Sequence, residues 1–154
     1  MVNPNKDIRL EIKVRNNLIL SRMEDGESFD EAVKYCQRMG VAETDPSGDV
    51  DGWDASIKVA ALATVLMDTP LKPQQVERSG IRGITPEMIA KAKSEGKRYK
   101  LVASAERKGT AIKARVAPEL VEPSSPLFGM MGSSTGLTFR TDVLPDYSIT
   151  VTER

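Results

Sequence analysis

The sequence predicts an α+β fold in two layers: a mainly antiparallel or mixed β-sheet with helices on one face. Three observations carry that expectation. Residues Ile8 to Arg15 alternate apolar and charged side chains without a fault, the pattern of a strand with one buried face. The stretch from Asn16 to Gly96 carries helix starts and stops instead. From Tyr99 onward the period-two pattern returns. At 154 residues the chain is one domain of ordinary size, able to bury a real core.

Each element follows in order. Asn16 or Asn17 can cap a short helix through Met23, and Gly26 sits where a helix stop belongs. Ser28-Phe-Asp-Glu31 has the spacing of a capping box and opens a helix through about Met39, ended by Gly40. An acidic loop follows, in which Asp49 or Asp51 can cap the next helix, from about Gly52 to Met67. Gln75 to Arg78 reads as a short extended piece. Thr85-Pro86-Glu87 starts another helix with proline at its first position, and Gly96 stops it. Tyr99–Glu106 and Ala111–Pro118 read as strands around a turn at Lys108-Gly109. Ser124 to Gly136 is rich in Ser, Gly and Pro and reads as a loop; Leu137–Val143 and Tyr147–Thr152 read as two more strands.

Composition narrows the function. The 22 basic and 22 acidic residues balance, so nothing points to nucleic acid or an anionic membrane. No apolar run reaches membrane-spanning length and the N-terminus has no signal-peptide pattern. Cys36 is the single cysteine, which excludes an internal disulfide and fits a reducing cytoplasm; its helical setting makes it buried filler before a nucleophile. There is no histidine, which removes the commonest general base and transition-metal ligand. That argues against zinc and excludes Ser-His-Asp or Cys-His catalysis within the chain. The basic run Lys91, Lys93, Lys97, Arg98 and Lys100 reads as a solvated helix end and strand edge.

The densest chemistry lies between Glu43 and Lys58. Five carboxylates, Glu43, Asp45, Asp49, Asp51 and Asp54, crowd one turn-rich segment that runs into an apolar helix. Asp54 and Lys58, four residues apart, share a face of that helix. A lone lysine beside several carboxylates suits recognition of an ammonium group together with proton transfer. A calcium loop fails: the nearest EF-hand register puts Lys58 where a bidentate glutamate belongs. The bland reading is that the carboxylates are turn and cap residues and that Asp54–Lys58 is a surface pair worth about 0.3–0.5 kcal/mol. Trp53, at the helix start, can wall a pocket or act as a partly buried anchor, and a lone Trp there more often does the latter.

Several segments together resemble the substrate-binding, or catalytic, domain of the homoserine dehydrogenase family. They are Leu20-Ser-Arg-Met23, Ser28-Phe-Asp-Glu-Ala32, Ala42-Glu-Thr-Asp-Pro46, Asp49-Val-Asp-Gly52, Asp54-Ala-Ser-Ile-Lys58, Gly80-Ile-Arg-Gly-Ile-Thr-Pro86 and Thr141-Asp-Val-Leu144. The Glu-x-Asp-Pro segment followed by Asp-Gly-x-Asp-x-x-x-Lys is the most specific part. The resemblance implies an enzyme interconverting homoserine and aspartate semialdehyde with NAD or NADP. Carried over, the family's catalytic lysine is Lys58, the carboxylate beside the reacting hydroxyl is Asp54, and Glu43 and Asp49 hold the substrate's amino group. Asp45 and Asp51 match less cleanly and read as turn and cap residues. The family also implies a homodimer through this domain.

The sequence departs from the family in places. No Gly-x-Gly-x-x-Gly follows a strand, so residues 1–154 read as a single substrate-binding domain with the nucleotide-binding domain absent. No cofactor is then held by this chain alone. Of the family's Asn-Gly-Thr-x-Asn motif, only Asn17 remains. The idealised alternation of Asp7 to Arg15 supports an alternative: a non-catalytic or engineered scaffold or dimerisation domain derived from that family.

Overall fold

A computed structural model describes residues 9–13, 17–132, 134–141 and 144–153. Among these, six strands form one sheet: β1 (Arg9–Lys13), β2 (Glu77–Arg78), β3 (Arg98–Lys108), β4 (Ala111–Val121), β5 (Thr135–Thr141) and β6 (Leu144–Glu153). Their order is β2-β4-β3-β1-β5-β6. Every neighbouring pair is antiparallel except β2 with β4, so the sheet is mixed and mainly antiparallel, as predicted. The first strand sits in the middle of the sheet: Leu10 pairs with Ala105 of β3 on one side and Phe139 of β5 on the other. Of the predicted strands, Ile8, Val14, Arg15, Asp142 and Val143 lie outside the described residues, as does Asn16, one of the two predicted caps of the first helix. Between β3 and β4 runs a two-residue link in which Gly109 takes a positive φ of 61°.

The helices are α1 (Asn17–Glu24), α2 (Phe29–Arg38), α3 (Ser47–Val50), α4 (Trp53–Leu66) and α5 (Pro86–Ser94). Local sequence explains their starts. The Ser28 hydroxyl accepts from the Glu31 amide and the Glu31 carboxylate accepts from the Ser28 amide, which completes the predicted capping box of α2. The Thr85 hydroxyl caps α5 by accepting from the Met88 amide, with Pro86 at the first position of the helix. The single turn α3 was not foreseen. Its residues read as loop because four residues carry no helical period.

The main core lies between the helices and one face of the sheet. Leu101, Ala103 and Ala105 of β3 and Val116 of β4 pack with Leu20, Val59, Ala63 and Ile89, all buried. Alanines on both sides, Ala55, Ala60 and Ala63 on α4 against Ala103, Ala105 and Ala114, let that helix lie close on β3 and β4. Val102, one residue out of phase, faces the other way and joins Val121, Leu127 and Met130 beneath the segment from 122 to 132. The sheet thus has helices on one face and a loop over part of the other. Cys36 is buried, as expected of filler, and burial pushes its thiol up.

One expectation is corrected. Lys100 is not solvated: it is fully buried. It shares the face of Val102, where the loop bearing Phe128 and Met131 closes over the start of β3.

Candidate functional site

The acidic segment is shaped by its own polar contacts. The Gln37 side-chain amide, on the last turn of α2, donates to the carbonyls of Glu43 (3.1 Å) and Thr44 (3.0 Å). Asp45 then folds the chain back, accepting from the Ser47 amide at 3.0 Å and the Ser47 hydroxyl at 2.6 Å. The Ser47 hydroxyl and amide hold the Asp45 carboxyl below the ordinary carboxylate range, with a smaller pull from Arg82. Pro46 leads into α3, which carries Asp49.

The chain leaves α3 through a constrained turn. Val50 is fully buried, and its carbonyl accepts from the Ile81 amide at 2.8 Å. Gly52 takes φ 79° as the N-cap of α4, a conformation that favours glycine. The N-cap position of α4 thus belongs to Gly52 and not to Asp49 or Asp51, contrary to expectation. Asp51 instead ends α3 and accepts from Arg82. Helix α4 then presents Asp54 in its first turn and Lys58 one turn later, and the Lys58 ammonium donates to Asp54 Oδ2 at 2.6 Å.

These elements border an open cavity of about 440 Å³ lined by Val41, Glu43, Asp45, Gly48, Asp49, Asp54 and Lys58. All four residues singled out from the sequence, Glu43, Asp49, Asp54 and Lys58, therefore border one space, as does Asp45, which was read only as a turn residue. The side chains of Lys58 and Asp54 are 43% and 39% exposed. At that exposure the pair is worth little as a stabilising contact. Its importance lies in the charge that it presents to the cavity. Four carboxylates and one ammonium give a net negative field that draws in a cation, and an ammonium group would find several anionic acceptors.

Other candidates fall away. Trp53 does not line the cavity; it is partly exposed, with the Arg78 guanidinium stacked 3.3 Å from its ring centre. Among the described residues no acidic, cysteine or histidine cluster has the geometry to hold a metal ion. Sequence reasoning missed Gln37, which acts on backbone carbonyls across the turn after α2, and Arg82, whose partners lie 31 and 35 residues away.

A wide, mixed sheet backed by helices, with a carboxylate-and-lysine cavity at the mouth of α4, defines a domain of the α+β class. A family model described as homoserine dehydrogenase matches residues 14–154, and the chain belongs to that family. The NAD(+)-dependent homoserine dehydrogenase of Pseudomonas canavaninivorans is 35% identical over 130 residues, covering 84% of this chain and 37% of the relative. The homoserine dehydrogenase of Synechocystis sp. is 38% identical over 133 residues, covering 83% of this chain and 31% of the relative. The fold is similar to the crystal structure of S. aureus homoserine dehydrogenase at pH 6.5, with a TM-score of 0.91 and 26% identity, over 99% of this chain and 39% of that one. The chain spans about a third of the length of the curated relatives it matches.

Proposed function

We propose that this chain is the substrate-binding part of an oxidoreductase that interconverts homoserine and aspartate semialdehyde. The observation that carries the reading is the meeting of Glu43, Asp49, Asp54 and Lys58 around one cavity. Glu43 and Asp49 accept hydrogen bonds from the substrate ammonium. Asp54 lies beside the reacting hydroxyl and orients Lys58. Lys58 takes the hydroxyl proton while the carbinol carbon loses its hydride. NAD or NADP, when bound, would supply the hydride acceptor. We place its binding in the part of the relatives that this chain does not span, since residues 1–154 hold no glycine-rich strand-to-helix turn.

Two further assignments belong to the same reading. The ten-residue strand β6 ends the sheet with one side unpaired among the described strands, and an open edge of that length favours assembly; we propose a twofold homodimer. Light scattering of the protein at high micromolar concentration tests it, a monomer mass counting against it. We propose a cytoplasmic location, which the single cysteine of the chain fits.

The test of the chemistry supplies the remaining part. A family nucleotide-binding domain joined in the correct chain order should give homoserine oxidation. Lys58→Ala in that chimera should abolish turnover with cofactor affinity unchanged. Equal turnover in the parent and the Lys58→Ala form would sink the assignment.

A further inference from the structure

Helix α3 is one turn long, and so short a helix does not hold itself, because nucleating a turn fixes several residues for one hydrogen bond. Its N-cap, Pro46, offers no side-chain hydrogen bond. Its shape must come from outside, and the segment from Gly80 to Arg82 supplies it. The Ile81 amide donates to the Val50 carbonyl at 2.8 Å. The Arg82 guanidinium then reaches both ends of the turn. Its Nε donates to Asp51 Oδ1 at 2.6 Å, and one terminal nitrogen donates to Asp51 Oδ2 at 3.2 Å and lies 3.5 Å from Ser47 Oγ. Ser47 opens α3 and Asp51 is its C-cap. Between them rides Asp49, and Ser47 in turn holds Asp45; both carboxylates line the cavity. Arg82 itself does not line it.

We propose that Arg82 is a positioning residue for the acidic cavity: by bridging Ser47 and Asp51 it fixes α3, and through α3 the Asp49 carboxylate that receives the substrate's ammonium group. This rests on the reading of the cavity as the homoserine site. The Arg82 and Asp51 side chains are 54% and 36% exposed, so their pairing contributes little to global stability. Its effect is local, which separates a positioning role from a merely structural one.

The experiment measures homoserine affinity by calorimetry, the melting temperature and amide hydrogen exchange in the wild-type protein and in Arg82→Gln, Asp51→Asn, the double variant and Glu43→Gln. Arg82→Gln should weaken homoserine binding about fivefold, the most that an exposed pair of this kind supplies. Exchange should quicken at Asp49 to Gly52 while the melting temperature stays near that of the wild type. Asp51→Asn should do the same, and the double variant should be no worse than either single one, because both remove one link. If Arg82→Gln does not fold, Asp51→Asn carries the test. Wild-type affinity in Arg82→Gln and Asp51→Asn, beside a loss in Glu43→Gln, overturns the role of Arg82 alone. Faster exchange throughout the protein, with a lowered melting temperature, also overturns it. A wild-type protein that takes no homoserine, or a Glu43→Gln variant that binds as well as wild type, removes the reading of the cavity and the inference with it.

Discussion

Gly80 packs against the backbone of Val50 with no space for a side chain between them. A Cβ at position 80 would run into the Val50 carbonyl oxygen and stand 2.6 Å from the Asp51 Cα. Both are backbone atoms that cannot rotate aside, and both belong to the turn that sets the start of α4. Gly80→Ala should therefore cost about 1–3 kcal/mol, as overpacking does in a tight interior. Urea unfolding reads the loss; an unchanged midpoint would show that the turn yields freely.

Asn17 offers a second test, on the other side of the core. It is fully buried at the start of α1, and its side chain pairs with the backbone of β3: Nδ2 donates to the Leu101 carbonyl at 3.3 Å and Oδ1 accepts from the Leu101 amide at 3.1 Å. Asn17→Ala strands both Leu101 groups away from water. The expected loss is about 2–4 kcal/mol, since an unsatisfied buried group bears its full desolvation cost. A loss well below that range in chemical denaturation would mean that water reaches Leu101.

Much of this was legible in the sequence because local signals and the fold agree. Ser28 and Glu31 announced α2 by spacing alone, and the alternation of β1, β3 and β5 announced the sheet. Asp54 and Lys58 were legible as neighbours because one helical turn separates them. What was not legible depended on distant partners. Nothing local brings Arg82 to Asp51, 31 residues away, and so Asp51 read as a cap. Lys100 read as solvated because charge is normally outside. Its burial depends on where the loop after β4 comes to rest, which no periodicity encodes.

The proposed roles predict a split in the kinetics of the assembled enzyme. Glu43 touches the substrate's ammonium in ground state and transition state alike, so Glu43→Gln should raise KM for homoserine about tenfold or more with kcat nearly kept. Lys58 acts on the proton that moves, so Lys58→Ala should lower kcat by about 10²–10⁴. Steady-state assays on both variants check this. A Glu43→Gln enzyme with unaltered KM would take Glu43 out of the substrate site.

Lys100 gives the chain a pH dependence of definite sign. Its side chain is fully buried on the loop-covered face of β3, with the ammonium 3.8 Å from the Met131 sulfur, a weak acceptor. Burial pushes its pKa below the ordinary 10.5; the Glu24 carboxylate opposes that shift and Arg98 adds to it. Glu24 does not compensate fully, because it also faces Arg98 at 3.7 Å and its Oε1 is buried without a hydrogen-bond donor among the described residues. The folded protein thus binds this proton less tightly than the unfolded chain does. Stability is reduced wherever Lys100 is charged, and it recovers as pH rises from the lowered folded value towards 10.5, where the unfolded chain also loses the proton. Lys100→Met removes the titrating group and keeps much of its bulk. Its stability should therefore climb less than that of the wild type between neutral pH and about 10. Urea unfolding at a series of pH values measures both curves. Parallel curves would mean that the ammonium is as well solvated in the folded protein as in the unfolded chain, and the burial of Lys100 would then have no energetic consequence.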